Sequence, residues 1–299
     1  MVLTVAALGV ALFGQLGVAP ARTPPDPEPT PAPKVVLRDP GDAPREPLRW
    51  TIPPPGTSRT TTMTMEMEFG GDAAAVSGPA GLEMVMEMET TVVGVTPEGA
   101  ATVAGRILSA SSPSDPAADA ALAPLLGDFA WESDITPDGR TLATRADIPE
   151  GLDPTSEGVL EQILPQVQQA TRPFPVEPVG TGATWRILEE IELGGVPVTQ
   201  RTDQTLERRD GNEVEISVRM RQTVEPGPID LPGVPPEARV TVRKWRMTGK
   251  GNQVLDLAKP FDPVDSHLEG HMLQRLRVNA EGATETITTE IDLTVSFEG

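Results

Sequence analysis

Six methionines stand at alternate positions in two segments of the N-terminal half of the sequence, Met63 to Phe69 and Leu82 to Val92. Apolar residues at every second position predict strands with one buried face, and pairing of the two strands would place all six methionines on that face. They are Met63, Met65, Met67, Met84, Met86 and Met88. Because methionine adapts its shape and its thioether binds Cu(I), three interpretations remain open: an ordinary core, the wall of a lipid or apolar-ligand site, or a copper site. No His or Cys lies near these segments, which argues against copper.

A second cluster holds both histidines of the chain, four residues apart. On a strand, His267, Glu269 and His271 would project from one side and could hold Zn²⁺. A helix would also bring the histidines to one face, but Pro263 and Gly270 disfavour a helix. The order differs from the His-Glu-x-x-His of metalloproteases, and solvated histidines on a polar strand are the plainer interpretation.

Other catalytic constellations are missing from the sequence. The chain has no Cys and no Tyr, which excludes thiolate nucleophiles and cysteine metal sites. It contains no Gly-x-Ser-x-Gly elbow, P-loop or calcium-binding loop, and Glu189 and Glu190 should point to opposite faces of a strand. We therefore predict neither an enzyme nor a cofactor, and a metal-dependent hydrolase built on the histidine cluster is the enzymatic alternative.

The charge of the chain is strongly negative, with 24 Lys and Arg against 44 Asp and Glu and a formal net charge of -20. Nucleic acids and anionic lipid surfaces attract clustered positive charge, so this balance opposes both as partners. A lipid or another apolar small molecule is the expected partner, and membrane contact is expected only if the N-terminal segment is not cleaved. The sequence does not define an oligomeric state.

The N-terminus resembles an export signal. Residues Met1 to Ala21 carry no charge, are mostly apolar and end in the small-x-small run Ala19-Pro20-Ala21. We therefore expect a signal peptide over residues 1–21 and a protein that is periplasmic, in the cell envelope or extracellular; an uncleaved anchor is the alternative. The proline-rich residues 22–47 predict a disordered linker, followed by one β-rich domain over residues 48–299.

Strand periodicity dominates from Leu48 onward. About ten amphipathic strands are predicted, joined mostly by short turns, with two short helices at Asp115–Leu126 and Ser156–Ala170. This pattern is typical of a mainly β (α+β) fold: a large curved antiparallel sheet or half-barrel flanked by the two helices. Tryptophans that open two hairpin-rich stretches suggest two similar halves, residues 48–172 and 173–299.

Several segments carry a family resemblance. They are Thr91–Leu108, Asp134–Arg140, the Pro-rich turn and Val-Gly-x-Gly-x-x-Trp of Pro173–Trp185, and Met247–Leu257. Together they resemble a family of exported bacterial proteins and lipoproteins of unknown function, whose fold is similar to lipoprotein-carrier and mycobacterial lipid-binding half-barrels. The resemblance implies an envelope location and a curved sheet flanked by helices, and it implies no activity. Without a lipobox cysteine, no acyl anchor is expected.

The sequence thus predicts an exported protein that binds an apolar ligand or lipid on a methionine-lined sheet face. The alternative of another class is a structural or interaction protein with a closed core and no ligand.

Overall fold

The computed structural model describes residues 32–72, 81–97, 99–113, 119, 130–147, 173–193, 196–229, 239–260, 263–280 and 283–299. These residues form thirteen strands in one antiparallel sheet that is not closed. The fold is therefore mainly β, as predicted. The strands are β1 (Lys34–Asp39), β2 (Ser58–Gly71), β3 (Leu82–Val95), β4 (Ala101–Ser111), β5 (Ala130–Ile135), β6 (Thr141–Asp147), β7 (Thr184–Leu193), β8 (Val196–Asp210), β9 (Glu213–Thr223), β10 (Gly227–Ile229), β11 (Arg239–Asp256), β12 (Pro263–Ala280) and β13 (Ala283–Glu298).

The order of strands across the sheet is β1-β7-β8-β9-β11-β12-β13-β2-β3-β4-β5-β6, and β10 pairs with β11. Strands β2 to β6 follow one another as a meander, and so do β7, β8, β9, β11, β12 and β13, with β10 beside this path. The last strand of the chain, β13, pairs with β2 and joins the two meanders into one sheet.

Alternation and turn chemistry explain why these segments form strands. In β9, every second residue from Val214 to Gln222 is buried, and the residues between them are more exposed. The turn from β8 to β9 contains Gly211 at φ 59°, a conformation that glycine adopts without strain. One face of the sheet is thus buried, and we call it the inner face.

The sheet bends strongly at one end. Trp50 N donates to Pro137 O, just beyond β5, and Thr51 N donates to Leu257 O, just beyond β11, both at 2.7 Å. β5 and β11 lie six places apart in the strand order, which would separate them by about 29 Å in a flat sheet. Since consecutive residues span only about 4 Å, the sheet must curve so that these strand ends approach each other.

The predicted disordered linker over residues 22–47 is wrong from Lys34 onward. Residues Lys34–Asp39 form β1 and pair with β7. Val35 and Leu37 pack against a buried cluster, and Glu46 and Val179 exchange two backbone hydrogen bonds of 3.0 Å. Lys34–Asp39 contain no proline, so every residue of this segment can donate to the ladder.

Other predicted features fall on residues that the structure does not describe. The signal peptide over residues 1–21 is one, and apart from Asp119 so are the two helices Asp115–Leu126 and Ser156–Ala170. In the described part of the chain, no helix is long and apolar enough to cross a bilayer.

Three apolar clusters cover the inner face. The largest runs from β7 to β5 through the methionine strands and includes Trp131 and Trp245. A second lies at the bent end around Trp185 and Phe174, and a third, smaller one lies around Val103. The inner face is therefore the apolar face of the sheet.

Candidate ligand-binding face

The six predicted methionines share the inner face. Met63 lies opposite Met86, and Met65 lies opposite Met84, in the register of β2 and β3. Residues directly opposite in an antiparallel pair have Cβ atoms about 5 Å apart, so these side chains are neighbours. Met84 is partly buried and the others are 1–6% exposed. We call Met63, Met65, Met67, Met84, Met86 and Met88 the methionine wall.

Apolar side chains extend the wall on both sides. On β13, Phe297 lies opposite Met63 and Val295 opposite Met65. On β4, Ile107 lies opposite Met88. Burial of this degree is typical of packed side chains, so a ligand on the wall would have to displace its neighbours.

A row of polar side chains occupies the inner face of β8. Gln200, Thr202 and Gln204 are 0–2% exposed, and Gln222 on β9, opposite Gln200, is also fully buried. We call Gln200, Thr202, Gln204 and Gln222 the polar stripe. Cross-strand partners lead from Thr202 across the sheet to Met67 on β2. The stripe and the methionine wall therefore belong to the same rows of one face.

One part of the stripe is hydrogen-bonded. Gln200 Nε2 donates to Glu189 Oε2 on β7 at 2.5 Å, and Gln222 Nε2 donates to Gln200 Oε1 at 2.5 Å. This relay crosses three adjacent strands and gives the carboxylate of Glu189 an amide partner. Glu190 is exposed on the other face, as the sequence predicts.

Another part of the stripe is unpaired. Within the described ranges, Thr202 Oγ1, Gln204 Oε1 and Gln222 Oε1 are buried without a hydrogen-bond partner. The same is true of Gln253 Nε2 and Ser266 Oγ, which lie opposite each other on β11 and β12. Leaving such a group unsatisfied costs about 1–3 kcal/mol, and native proteins keep few. Ordered water or the polar group of a ligand would satisfy these atoms.

Glycines separate the stripe from the wall. Gly249 and Gly251 on β11 and Gly270 on β12 occupy inner positions. A Cβ on Gly251 would lie 2.2 Å from the carbonyl oxygen of His267, so only glycine fits there. The Cε methyls of Met220 and Met247 lie 3.4 and 3.1 Å from the Cβ positions that Gly249 and Gly270 lack. Flexible methionines thus fill this part of the face, which suits a surface that changes shape around a ligand.

The histidine cluster lies on the opposite, outer face. His267, Glu269 and His271 project from the same side of β12, as predicted for a strand, and all three are exposed. Four residues of strand place the histidines about 13 Å apart, whereas zinc–ligand bonds are about 2 Å long. Within the described segments, no group of three or more His, Cys, Asp or Glu side chains could hold a metal ion. The predicted zinc site therefore has no support in the geometry.

Each member of that cluster has a partner of its own. His271 Nδ1 lies 2.8 Å from Asp292 Oδ1, and His267 Nδ1 lies 3.2 Å from Ser296 Oγ. Lys250 Nζ lies 2.8 Å from Glu269 Oε2, and this contact lowers the pKa of Glu269. These are cross-strand contacts of a solvated sheet face.

The outer face also carries an ion-pair network on β7 and β8. The carboxylate of Asp203 lies 2.7 Å from Arg186 Nε and 2.7 Å from Arg201 Nη2. Partial burial alone would raise the pKa of Asp203, but the hydrogen bonds from Arg186 and Arg201 outweigh it and hold that pKa below its ordinary value. The two faces thus differ: the outer one is ionic and wet, and the inner one is apolar with neutral polar groups.

Sequence reasoning missed the polar stripe, although a signal is present. In Val196 to Leu206, the residues in phase with the apolar ends are Val198, Gln200, Thr202 and Gln204. Polar residues at positions that the alternation assigns to the core indicate either a strained core or a binding site.

Comparison with known proteins adds little. No protein-family model matches the chain, and no curated protein matches it. Among solved structures, one from Nitrosomonas europaea titled "putative AttH" has 8% identity to the chain, with coverage of 79% of this chain and 92% of that chain, and a TM-score of 0.12. A TM-score this low does not show a shared fold, so the family resemblance stays a prediction.

Proposed function

We propose that this protein is an exported, non-enzymatic carrier that holds one amphiphilic molecule on the inner face of its sheet. The apolar part of the molecule lies on the methionine wall, and its polar group lies on the polar stripe. The observation that carries this proposal is the set of buried, unpaired polar atoms in the same cross-strand rows as the wall.

The chemistry of the stripe defines the polar group. Its side chains are amides and a hydroxyl, which donate and accept hydrogen bonds without charge. Glu189, at one end, already accepts from Gln200. A phosphate or carboxylate would need buried cations to offset its desolvation, whereas a neutral hydroxyl, ester or amide group matches the stripe.

The proposal keeps the finer features expected from the sequence. The bent sheet would be a half-barrel of two similar halves, β2–β6 and β7–β13, with the two predicted helices beside it. Export rests on the apolar residues 1–21 and their small-x-small end. The soft methionines would let one wall accept chains of different length.

A closed core without a ligand is the second candidate. It is favoured by the 2% and 1% exposure of Met63 and Met67, which is typical of ordinary packing. It leaves the unpaired atoms of the stripe without a partner, which is why we rank it second.

Purification without detergent from the natural host, followed by native mass spectrometry, tests the proposal. We expect a one-to-one adduct that organic solvent extracts as a neutral amphiphile. A clean mass of the protein alone under gentle conditions would contradict the carrier and support the closed core.

A further inference from the structure

Seven cationic side chains cluster on the outer face of three neighbouring strands. All seven are exposed, and in the part of the chain that the structure describes none has a hydrogen bond or an ion pair. We call this cluster the basic face. It consists of Arg219 and Arg221 on β9, Arg243, Lys244 and Arg246 on β11, and Arg275 and Arg277 on β12.

The register sets like charges directly against each other. Lys244 lies opposite Arg275, and Arg221 lies opposite Arg201 of β8. Arg219 lies opposite Asp203, whose carboxylate is paired with Arg186 and Arg201. Like charges in directly opposed positions destabilise a sheet. The carboxylate opposite Arg219 is already shared by two other arginines, so the cluster keeps an excess of positive charge that an external anion would stabilise.

A β-bulge adds to the cluster. The pairing of β11 with β12 shifts register between Val242 and Lys244, so that Arg243 and Lys244 are both exposed although they are adjacent. Regular alternation would have turned one of them inward. The bulge thus increases the positive charge of the outer face at the cluster.

The neighbouring strands of the same face are acidic. Glu66 lies opposite Glu83 between β2 and β3, and Glu68 lies opposite Asp292 between β2 and β13. The chain as a whole carries a net charge of -20. The basic face is therefore a local reversal of charge, and an anionic partner would approach the molecule in one orientation.

We infer that the basic face docks on a bilayer surface that contains anionic phospholipids. Six of its seven cations are arginines, whose planar guanidinium groups bind phosphate through two parallel hydrogen bonds. Each cation near an anionic surface strengthens binding about fivefold. The inference goes beyond the proposed ligand and is independent of it, because docking needs no molecule on the inner face.

A membrane surface fits better than a nucleic acid. Among the described residues, no exposed Trp or Phe is present to stack on bases, as single strands require. A long polyanion that crosses the sheet would also meet the acidic strands β13, β2 and β3. On a bilayer, the molecule can tilt so that those strands point away from the lipid.

Vesicle cosedimentation tests the inference. The probes are vesicles of phosphatidylcholine alone and vesicles in which about a third of the lipid is phosphatidylglycerol. We expect binding only to the anionic vesicles, and loss of that binding between about 0.1 M and about 1 M salt, where the screening length falls from about 10 to about 3 Å. The triple variant Arg243→Gln, Lys244→Gln, Arg246→Gln should lower the partition coefficient roughly a hundredfold.

A matched control removes three exposed cations elsewhere. Arg106→Gln, Arg145→Gln and Lys259→Gln change the net charge equally but lie outside the basic face. This control should retain its binding, and circular dichroism should show both triple variants to be folded. Equal losses in the two variants, binding to neutral vesicles, or binding to a DNA duplex without binding to vesicles would overturn the inference.

Discussion

The methionine wall and the polar stripe are buried to a similar degree on one face of the sheet, but they differ in hydrogen bonding. The wall consists of apolar neighbours in direct cross-strand pairs, such as Met63 with Met86. The stripe holds Thr202, Gln204 and Gln222 with buried oxygen atoms that lack a partner among the described residues. The wall is what a stable core requires, whereas the unpaired atoms of the stripe lower stability, a cost that the proposed ligand would offset.

The largest expected effect comes from truncating the wall. Met67 is 1% exposed, so Met67→Ala should lower the free energy of unfolding by about 2–5 kcal/mol through lost burial and a new cavity. Urea denaturation measures this change. Met84→Ala, at the partly buried edge of the wall, should cost less, and equal costs at the two positions would show that the wall is not packed as described.

The hydrogen-bonded part of the stripe should respond less strongly. Gln200→Leu removes the amide that joins Glu189 to Gln222, so the buried amide of Gln222 loses its acceptor and Glu189 loses one of its contacts. We expect a loss of about 1–3 kcal/mol in the free energy of unfolding, again by urea denaturation. A neutral or stabilising result would mean that the relay does not exist in solution.

The unpaired part of the stripe should give the opposite sign. Gln204→Leu replaces an amide whose buried oxygen has no partner by an apolar side chain of similar size. We expect the free energy of unfolding of the ligand-free protein to rise by about 1 kcal/mol. The same variant should bind monoolein, a neutral amphiphile, about fivefold more weakly, because one hydrogen bond to its glycerol group is lost. Calorimetric titration measures the affinity, and octadecene, which has no polar group, is the control ligand whose affinity should not fall. A gain in stability with unchanged monoolein affinity would separate the stripe from the ligand.

The smallest expected effect on stability concerns the ion pairs of Asp203 on the outer face, which contrast with the neutral polar stripe of the inner face. Because the folded pKa of Asp203 is below its ordinary value, its ion pairs stabilise the protein above about pH 4, and this contribution disappears as the pH falls through the lower, folded pKa. Arg201→Gln should raise the pKa of Asp203, which a carboxyl-carbon NMR titration would show. The change in stability should be small because solvent screens this partly exposed pair. An unchanged pKa in the variant would contradict the pairing.

Most strands were predictable from alternation, but several features were not. The strand β1 follows directly after a proline-rich run, and its pairing partner β7 lies about 150 residues away along the sequence, so local composition alone misplaced the start of the domain. β11 and β12 extend through Gly249, Gly251 and Gly270, which local propensity assigns to turns; pairing between the two long strands overrides that preference.

The two candidate surfaces were predictable to different degrees. The methionine wall follows from two adjacent segments with methionine at every second position, and the pairing of these segments is confirmed. The basic face draws its cations from three segments far apart in the sequence, around Arg219, Lys244 and Arg275, which only the sheet register brings together. The net charge of -20 does not reveal such a cluster, because it adds all charges regardless of where they lie in the fold.

NMR of the methionine methyl groups tests most directly whether one amphiphile spans the wall and the stripe. The chain contains ten methionines, so their methyl signals can be followed one by one during a titration with monoolein. We predict that the methyls of the wall and the side-chain amides of Gln204 and Gln222 shift together and saturate at one molecule per protein. Unchanged signals throughout the titration, or shifts in the wall without any in the stripe, would contradict it.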